Sequence, residues 1–342
     1  MDLTRAYREF EEGHERQRNR RSRPTVLVVG YTGSGKTSLI QAICGKNVVP
    51  DDRIGAGLPK TQAFDLYEDD LIRFFDSKGL EPGTSESAFM DEVKRFMRTL
   101  QDDPNVDNHI HLVWYAIQGP GARVTPCDLR LIKWIFPNAI LLITKNDITR
   151  PSQREAIICA LAENGVLCSQ ILPCSEGDKD SLRALVNLSF ELLPDAYRDA
   201  FVAAQIIDIE KKRSKGRAFV VAAACRSASA IREQGISNEF IRIVFAMLAD
   251  LAVLYNQPPP VFRHAFLPFI EEALAKLKED NQKAWFTRTK AKNAYAWTEA
   301  FGYVADGYLC KLYEERLAGE TPPEISFDPR AFRDEYAARR DA

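Results

Sequence analysis

From residue 24 onward the chain alternates two kinds of apolar pattern. Thr25-Val26-Leu27-Val28-Val29 and residues 139–144 are short continuous apolar runs, the signature of strands buried on both faces of a parallel sheet. Further strands are expected over 63–67, 71–75 and 109–117, with one ending at Cys174. Between them lie stretches at helical spacing: a helix from Lys36, a charged amphipathic helix over about 86–100, and others over about 128–135, 152–164 and 181–193. Strands alternating with helices imply right-handed crossovers and a three-layer α/β fold with a central, mostly parallel sheet.

After Pro194 the strand signals stop. Residues 195–318 read as successive amphipathic helices punctuated by Gly216, Gly235 and Pro258-Pro259-Pro260, hence an α-helical C-terminal domain. Residues 319–342, containing Pro322-Pro323, read as a charged, loosely docked tail. At the other end, residues 1–23 form a charged arm, helical or loose, closing on Arg16, Arg18, Arg20, Arg21 and Arg23. A solvated arm accounts for that cluster; a phosphate-rich partner is the sharper alternative. The expected division is therefore 1–23, 24–194, 195–318 and 319–342.

Composition narrows the class. Of 342 residues, 45% are hydrophobic and 27% charged, as in a soluble globular protein long enough for two domains. A net charge of -2 gives no broad electrostatic case for nucleic acid or an anionic membrane, and no DNA partner is expected. Cys44, Cys127, Cys159, Cys168, Cys174, Cys225 and Cys310 include no C-x-x-C pair and read as free thiols of a reducing compartment. The opening Met1-Asp2-Leu3-Thr4-Arg5 has no apolar core, and the C-terminal apolar stretches are broken by Arg226 and Asp250. Neither a secretory signal nor a membrane span is expected, which leaves the cytoplasm as the address.

Candidate chemistry begins at Gly30-Tyr31-Thr32-Gly33-Ser34-Gly35-Lys36-Thr37, a G-x-x-x-x-G-K-[ST] motif between a buried strand and a helix. Gly30, Gly33 and Gly35 let the backbone curl so that successive N–H groups, those of Thr32, Ser34 and Ser38 among them, face phosphate at a helix N-terminus. Lys36 would span the β- and γ-phosphates, and the Thr37 hydroxyl would ligate Mg²⁺. About 40 residues on, Asp76-Ser77-Lys78-Gly79 is expected to follow the strand over 71–75. Its aspartate can hold Mg²⁺ through water, and the Gly79 N–H can meet the γ-phosphate. In the loop of residues 51–61, Thr61 is the candidate for a second hydroxyl on Mg²⁺. GTP would then order residues of about 51–61 and 76–86, and hydrolysis would release them.

Thr144-Lys145-Asn146-Asp147 ends the third buried strand and chooses the base. Asp147 can accept two hydrogen bonds from guanine, whereas adenine would leave that acceptor unmatched at a cost of about 1–3 kcal/mol per group. The stem of Lys145 would pack on the base, and Ser175, about 28 residues after Asp147, would offer its backbone N–H to the guanine oxygen.

With these motifs in order, the stretch Phe75-Asp76-Ser77-Lys78-Gly79-Leu80-Glu81-Pro82-Gly83 and the strand from His111 to Ile117 resemble the Era-like and septin-like G domains of the translation-factor-related P-loop GTPases. The likeness extends to bacterial and fungal ribosome-binding-type GTPases, some of which carry a helical C-terminal domain thought to touch membranes. It covers residues 24–194 and implies a Mg²⁺-dependent GTPase switch binding GTP and GDP. An unidentified protein effector is expected, with a nucleotide-dependent homodimer and ribosome or membrane contact left open. The motif wording departs from the family at Thr144, where Asn is usual, and at Lys78, where Pro is usual. Leu80 stands where Ras-like enzymes place a water-orienting glutamine. Hydrolysis would therefore draw its catalytic group from Arg53, Lys78, Glu81 or a partner. An assembly protein that binds GTP but barely turns it over is the alternative.

His109 and His111 alternate on the expected strand as a metal pair could, but no third ligand lies nearby in sequence, so strand-end hydrogen bonding is preferred. Trp285 and Trp297, with Tyr295 and Phe301, are expected to pack between helices. Cys44 and Cys174 read as small buried fillers near the nucleotide pocket.

Overall fold

The computed structural model describes residues 3–53, 64–79, 85–135, 139–166, 168–234, 236–319 and 328–341. Thr61, Leu80 and Glu81 lie outside the described residues. The chain divides into two compact units, Arg21–Asp208 and a second made of Met1–Arg20 with Ile209–Ala342.

The first helix, α1 (Leu3–Arg20), belongs to the second unit. The first unit then runs β1 (Thr25–Gly30), α2 (Lys36–Cys44), β2 (Phe64–Glu68), β3 (Arg73–Ser77), α3 (Glu86–Gln101), β4 (Leu112–Gln118), α4 (Pro126–Ile135) and β5 (Ala139–Thr144). It closes with α5 (Pro151–Glu163), β6 (Ile171–Pro173), α6 (Lys179–Leu192) and α7 (Asp195–Ala204). The six strands lie in the order β2-β3-β1-β4-β5-β6, with β2 antiparallel to β3 and every other pairing parallel. The carboxyl ends of β1, β3, β4, β5 and β6 thus share one edge. The chain winds to both sides of β1, and open α/β sheets bind ligands where the winding direction changes. β1 and β5 are buried at every residue, which is why their sequences are unbroken apolar runs.

Two boundaries differ from the sequence reading. β3 extends through Ser77, so Asp76 and Ser77 are the last residues of the strand rather than the start of the loop. β4 begins at Leu112, so His109 and His111 precede it and do not share a strand face. The His111 ring accepts the Thr25 amide at Nδ1 (2.9 Å), and its Nε2 donates to the Val106 carbonyl (3.1 Å). That ring is a backbone cap with both nitrogens occupied.

The second unit comprises α1 with α8 (Ile209–Gln234), α9 (Asn238–Leu254), α10 (Pro259–Ala265), α11 (Leu267–Lys283), α12 (Thr287–Leu317) and α13 (Pro329–Asp341). Its core gathers Phe240, Trp297, Phe301 and Phe332, all fully buried. The sequence reading set residues 1–23 and 319–342 apart as an arm and a tail, but each contributes a helix to this unit. Phe10 of α1 is wholly buried, with its ring 6.4 Å from that of Phe245, and Phe332 of α13 is buried beside the Trp297 and Phe301 rings with buried Tyr336 stacked on it. A few buried aromatic residues on one face thus hold each of these otherwise charged helices. Trp285 corrects a second expectation. It is 95% exposed, because it falls in the break between α11 and α12 rather than on a buried helical face, whereas Trp297 is buried as expected. Among the described residues no helix is long and apolar enough to cross a membrane.

Candidate functional site

Residues 30–37 wrap the carboxyl end of β1 and open α2. Gly33 and Gly35 adopt left-handed backbone (φ +75° and +82°), and a Cβ at either would meet open space within 4 Å. The concave side of this turn is therefore bare backbone, a cradle that side chains would fill. Thr32 and Gly33 are exposed, Ser38 is half-buried in the first turn of α2, and Ser34 is buried with its Oγ lacking a protein partner. Lys36 is buried, and its Nζ donates to the carbonyls of Gly30 (3.2 Å) and Tyr31 (3.0 Å). Burial holds this ammonium below its ordinary pKa, and Asp76 partly offsets the shift.

Thr37 Oγ1 donates to Asp76 Oδ2 at 2.5 Å, which joins the first turn of α2 to the end of β3. Asp76 Oδ1 and the neighbouring Ser77 Oγ are buried and have no protein partner. Burial pushes the Asp76 carboxyl up to about 6, while Lys36 and Thr37 pull the other way. A buried carboxylate with one free oxygen beside a threonine hydroxyl is a donor set that suits a hard divalent cation with its waters. The residues thus fit the Mg²⁺ that the motif implies.

Lys78 and Gly79 lie against the same turn. The Lys78 carbonyl accepts from Thr32 Oγ1 (3.1 Å), and Gly79 has φ +83°. A Cβ at Gly79 would stand 2.4 Å from the Thr32 nitrogen and 2.7 Å from the Tyr31 carbonyl carbon. Arg53, the other described candidate for a catalytic group, is exposed on a 3-10 turn over Asp51–Arg53.

The carboxyl ends of β5 and β6 bring a second set together. Thr144 is buried, and its Oγ1 donates to the Ile117 carbonyl on β4 (3.2 Å), so threonine ties the strands here. Lys145 has φ +55°, a strained value for a non-glycine residue that turns the chain sharply before Asp147. The exposed Asp147 is held by one hydroxyl: Ser175 Oγ donates to its Oδ1 and accepts from its amide. The Ser175 amide donates to Ser181 Oγ (3.2 Å), and so the serine's side chain is the part that meets Asp147. Sequence reasoning gave Ser175 only a backbone role; a small hydroxyl residue just past the last strand was the available signal.

A further network was missed. Tyr31 Oη pairs with Thr125 Oγ1 (3.0 Å), the Thr125 amide donates to Asp128 Oδ2 (2.7 Å), and Tyr115 Oη donates to Asp128 Oδ1 (2.5 Å). It ties the turn over residues 30–37 to α4 through buried Tyr115 and Asp128 and half-buried Tyr31 and Thr125, and no local pattern announces it.

Residues 25–145 match the family model described as 50S ribosome-binding GTPase. A human protein named GTP-binding protein 6 is 31% identical over 116 residues, which is 33% of this chain and 21% of that protein's length. The chain therefore spans only a small part of the curated relative it matches. Among solved structures, a probable GTP-binding protein engB aligns at 19% identity and TM-score 0.38, covering 49% of this chain and 97% of that one. The septin GTPase domain of Chlamydomonas reinhardtii aligns at 17% identity and TM-score 0.31, over 42% and 62% of the two chains. A dimerization-deficient mutant of Toc33 from Arabidopsis thaliana aligns at 17% and 0.33, over 51% and 79%. With its strand order and the match of residues 25–145, the first unit has the fold of a P-loop GTPase G domain, and that segment resembles the 50S ribosome-binding GTPases.

Proposed function

We propose that this protein binds Mg²⁺-GTP and hydrolyses it to GDP and phosphate as a molecular switch whose helical unit carries the output to a protein effector. The observation that carries the reading is the Thr37–Asp76 pair beside buried Lys36, with one Asp76 oxygen left unpartnered. In this reading the turn from Gly30 to Ser38 presents its amides to phosphate, and Lys36 crosses to the β- and γ-phosphates. Thr37 and Thr61 would hold the cation, Asp76 through a water, and Gly79 would offer its amide to the γ-phosphate. Bound Mg²⁺ would neutralise charge on the phosphate oxygens. Thr144 and Lys145 position Asp147 to read guanine, with Ser175 orienting its carboxylate.

Calorimetric titration of nucleotide-free protein with GTP, GDP and ATP in magnesium, followed by single-turnover phosphate release, tests this. Tight guanine-selective binding with turnover is expected; absence of guanine preference would sink the assignment. A second reading, a nucleotide-gated assembly protein with little turnover, is favoured by Leu80 directly after Gly79. Leucine cannot orient a water, and a missing arginine finger would leave such a site slower by about 10³–10⁵. Tight binding without turnover, together with GTP-dependent dimers in size-exclusion chromatography, would select it.

A further inference from the structure

The turn joining α11 to α12 carries the two most exposed large hydrophobic side chains among the described residues. Trp285 is 95% and Phe286 75% exposed. Exposing a neighbouring Trp–Phe pair to water in this way is costly and marks an interaction site. The surrounding sequence is locally one-signed: residues 283–292 contain Lys283, Arg288, Lys290 and Lys292 and no acidic residue, in a chain whose net charge is -2. Lys283 is paired with Glu279. Arg288 and Lys292 are exposed, and neither they nor Lys290 make an ion pair among the described residues.

The tip is also held in shape from below. Trp297 Nε1 donates to the Ala273 carbonyl (2.7 Å), and Asn293 Nδ2 to Asn281 Oδ1 (3.1 Å), so α12 is fastened to α11 within about three turns of the break. The Phe286 carbonyl accepts the amides of Thr289 (3.0 Å) and Lys290 (3.2 Å), which starts α12 immediately behind the aromatic pair. Little ordering cost remains to be met when the tip engages a surface.

We infer that this turn is a membrane-docking tip, seating Trp285 and Phe286 in the interface of an anionic bilayer while Arg288, Lys290 and Lys292 meet lipid headgroups. Tryptophan partitions to the headgroup level, where its ring is half-apolar and its N–H is wet. Basic residues beside an inserted wedge are drawn by the negative surface of acidic lipids. A folded protein partner would need a concave pocket shaped for two aromatic rings standing on a convex turn. A bilayer interface deforms around them and asks only for an apolar wedge with a cationic rim. The inference is independent of the nucleotide site.

The test is co-sedimentation of the full chain with vesicles of phosphatidylcholine alone and of phosphatidylcholine mixed with phosphatidylserine. Sedimentation is expected only with the acidic vesicles and should weaken as salt is raised. The double variant Trp285→Ala/Phe286→Ala should bind at least about tenfold more weakly. Arg288→Glu/Lys292→Glu should lose about fivefold per cation removed, and more for the reversed sign. Equal binding by wild type and the aromatic variant, or no binding by wild type, overturns the inference. So does loss of single-stranded oligonucleotide binding in the aromatic variant without any vesicle binding, which would make the tip a base-stacking platform. Should the aromatic variant melt differently, quenching of wild-type Trp emission by vesicles of brominated lipid reads the contact without a substitution. Quenching absent from Trp285→Phe supports it; no quenching in wild type overturns it.

Discussion

Ser175 and Asp147 form a two-way clasp: the serine hydroxyl donates to Asp147 Oδ1 at 2.9 Å and accepts the Asp147 amide at 2.9 Å. One hydroxyl thereby fixes both the backbone and the carboxylate of an exposed residue, with the second carboxylate oxygen left for a ligand. In the GTPase reading this clasp preorganises the base reader. Asp147→Asn is expected to move preference from guanine toward xanthine, because an amide supplies a donor where the carboxylate only accepts. Ser175→Ala should weaken guanine nucleotides about threefold to tenfold without changing selectivity, since about 1 kcal/mol of orienting hydrogen bond is lost. Competition titrations with GTP, XTP and ATP check both; unchanged guanine selectivity in Asp147→Asn would count against the role.

Lys36 is a buried ammonium satisfied by two backbone carbonyls and drawn toward Asp76. Lys36→Ala is expected to reduce GTP affinity by two orders of magnitude or more, about 3 kcal/mol, as a desolvated charge-assisted contact is removed. Calorimetry at constant magnesium reads this directly, and an affinity within threefold of wild type would remove the phosphate-binding assignment.

Gly79 and Gly33 both have left-handed backbone, yet they should respond differently to alanine. At Gly33 a methyl meets nothing within 4 Å, so only the backbone cost of about 1–2 kcal/mol applies. At Gly79 the methyl would collide with the backbone at Thr32, which no side-chain rotation relieves. Gly79→Ala should therefore cost more than Gly33→Ala in thermal unfolding and speed hydrogen exchange at the Thr32 amide. Equal costs for the two variants would argue that residues 78–79 do not rest on the turn.

Asp306 sits buried in the helical unit, where its Oδ1 accepts from Tyr255 Oη (2.8 Å). Burial raises its pKa from 3.8 to about 6, against the lowering effects of Tyr255, Arg213 and Arg217. The folded state thus holds this proton more tightly than the unfolded state does. Its contribution is fully present below about pH 4 and is lost as pH rises to about 6, at most about 3 kcal/mol across the window. Asp306→Asn keeps an acceptor for Tyr255 without the buried charge. The variant should gain stability relative to wild type between pH 4 and 6 and hold a constant advantage above. Parallel melting-temperature profiles for the two proteins would refute this.

Much of the first unit was legible in the chain because its rules are local. Residues 25–29 and 139–144 are unbroken apolar runs because both faces of their strands are covered, and the turn over residues 30–37 takes left-handed glycines between a strand and a helix whatever surrounds it. Asp76 and Asp147 stood out as candidates for the same reason, one at the end of β3 and the other three residues past β5. What the sequence could not decide were relationships between distant segments. The hydroxyl of Ser175 clasping Asp147, the buried pairing of Asp76 with Thr37, and the chain from Tyr31 to Asp128 join residues 28, 39 and 97 positions apart, and no periodicity encodes such pairings. Nor could pattern tell Trp285 from Trp297, since both lie in helix-rich sequence and only the position of the break between α11 and α12 exposes one and buries the other. Helices α1 and α13, read as arm and tail from their charge, are held by Phe10, Phe332 and Tyr336, because a few buried rings outweigh a charged majority once a partner face exists. Local backbone and burial rules fix the elements and their motifs; which groups meet across the fold is settled only when those elements pack.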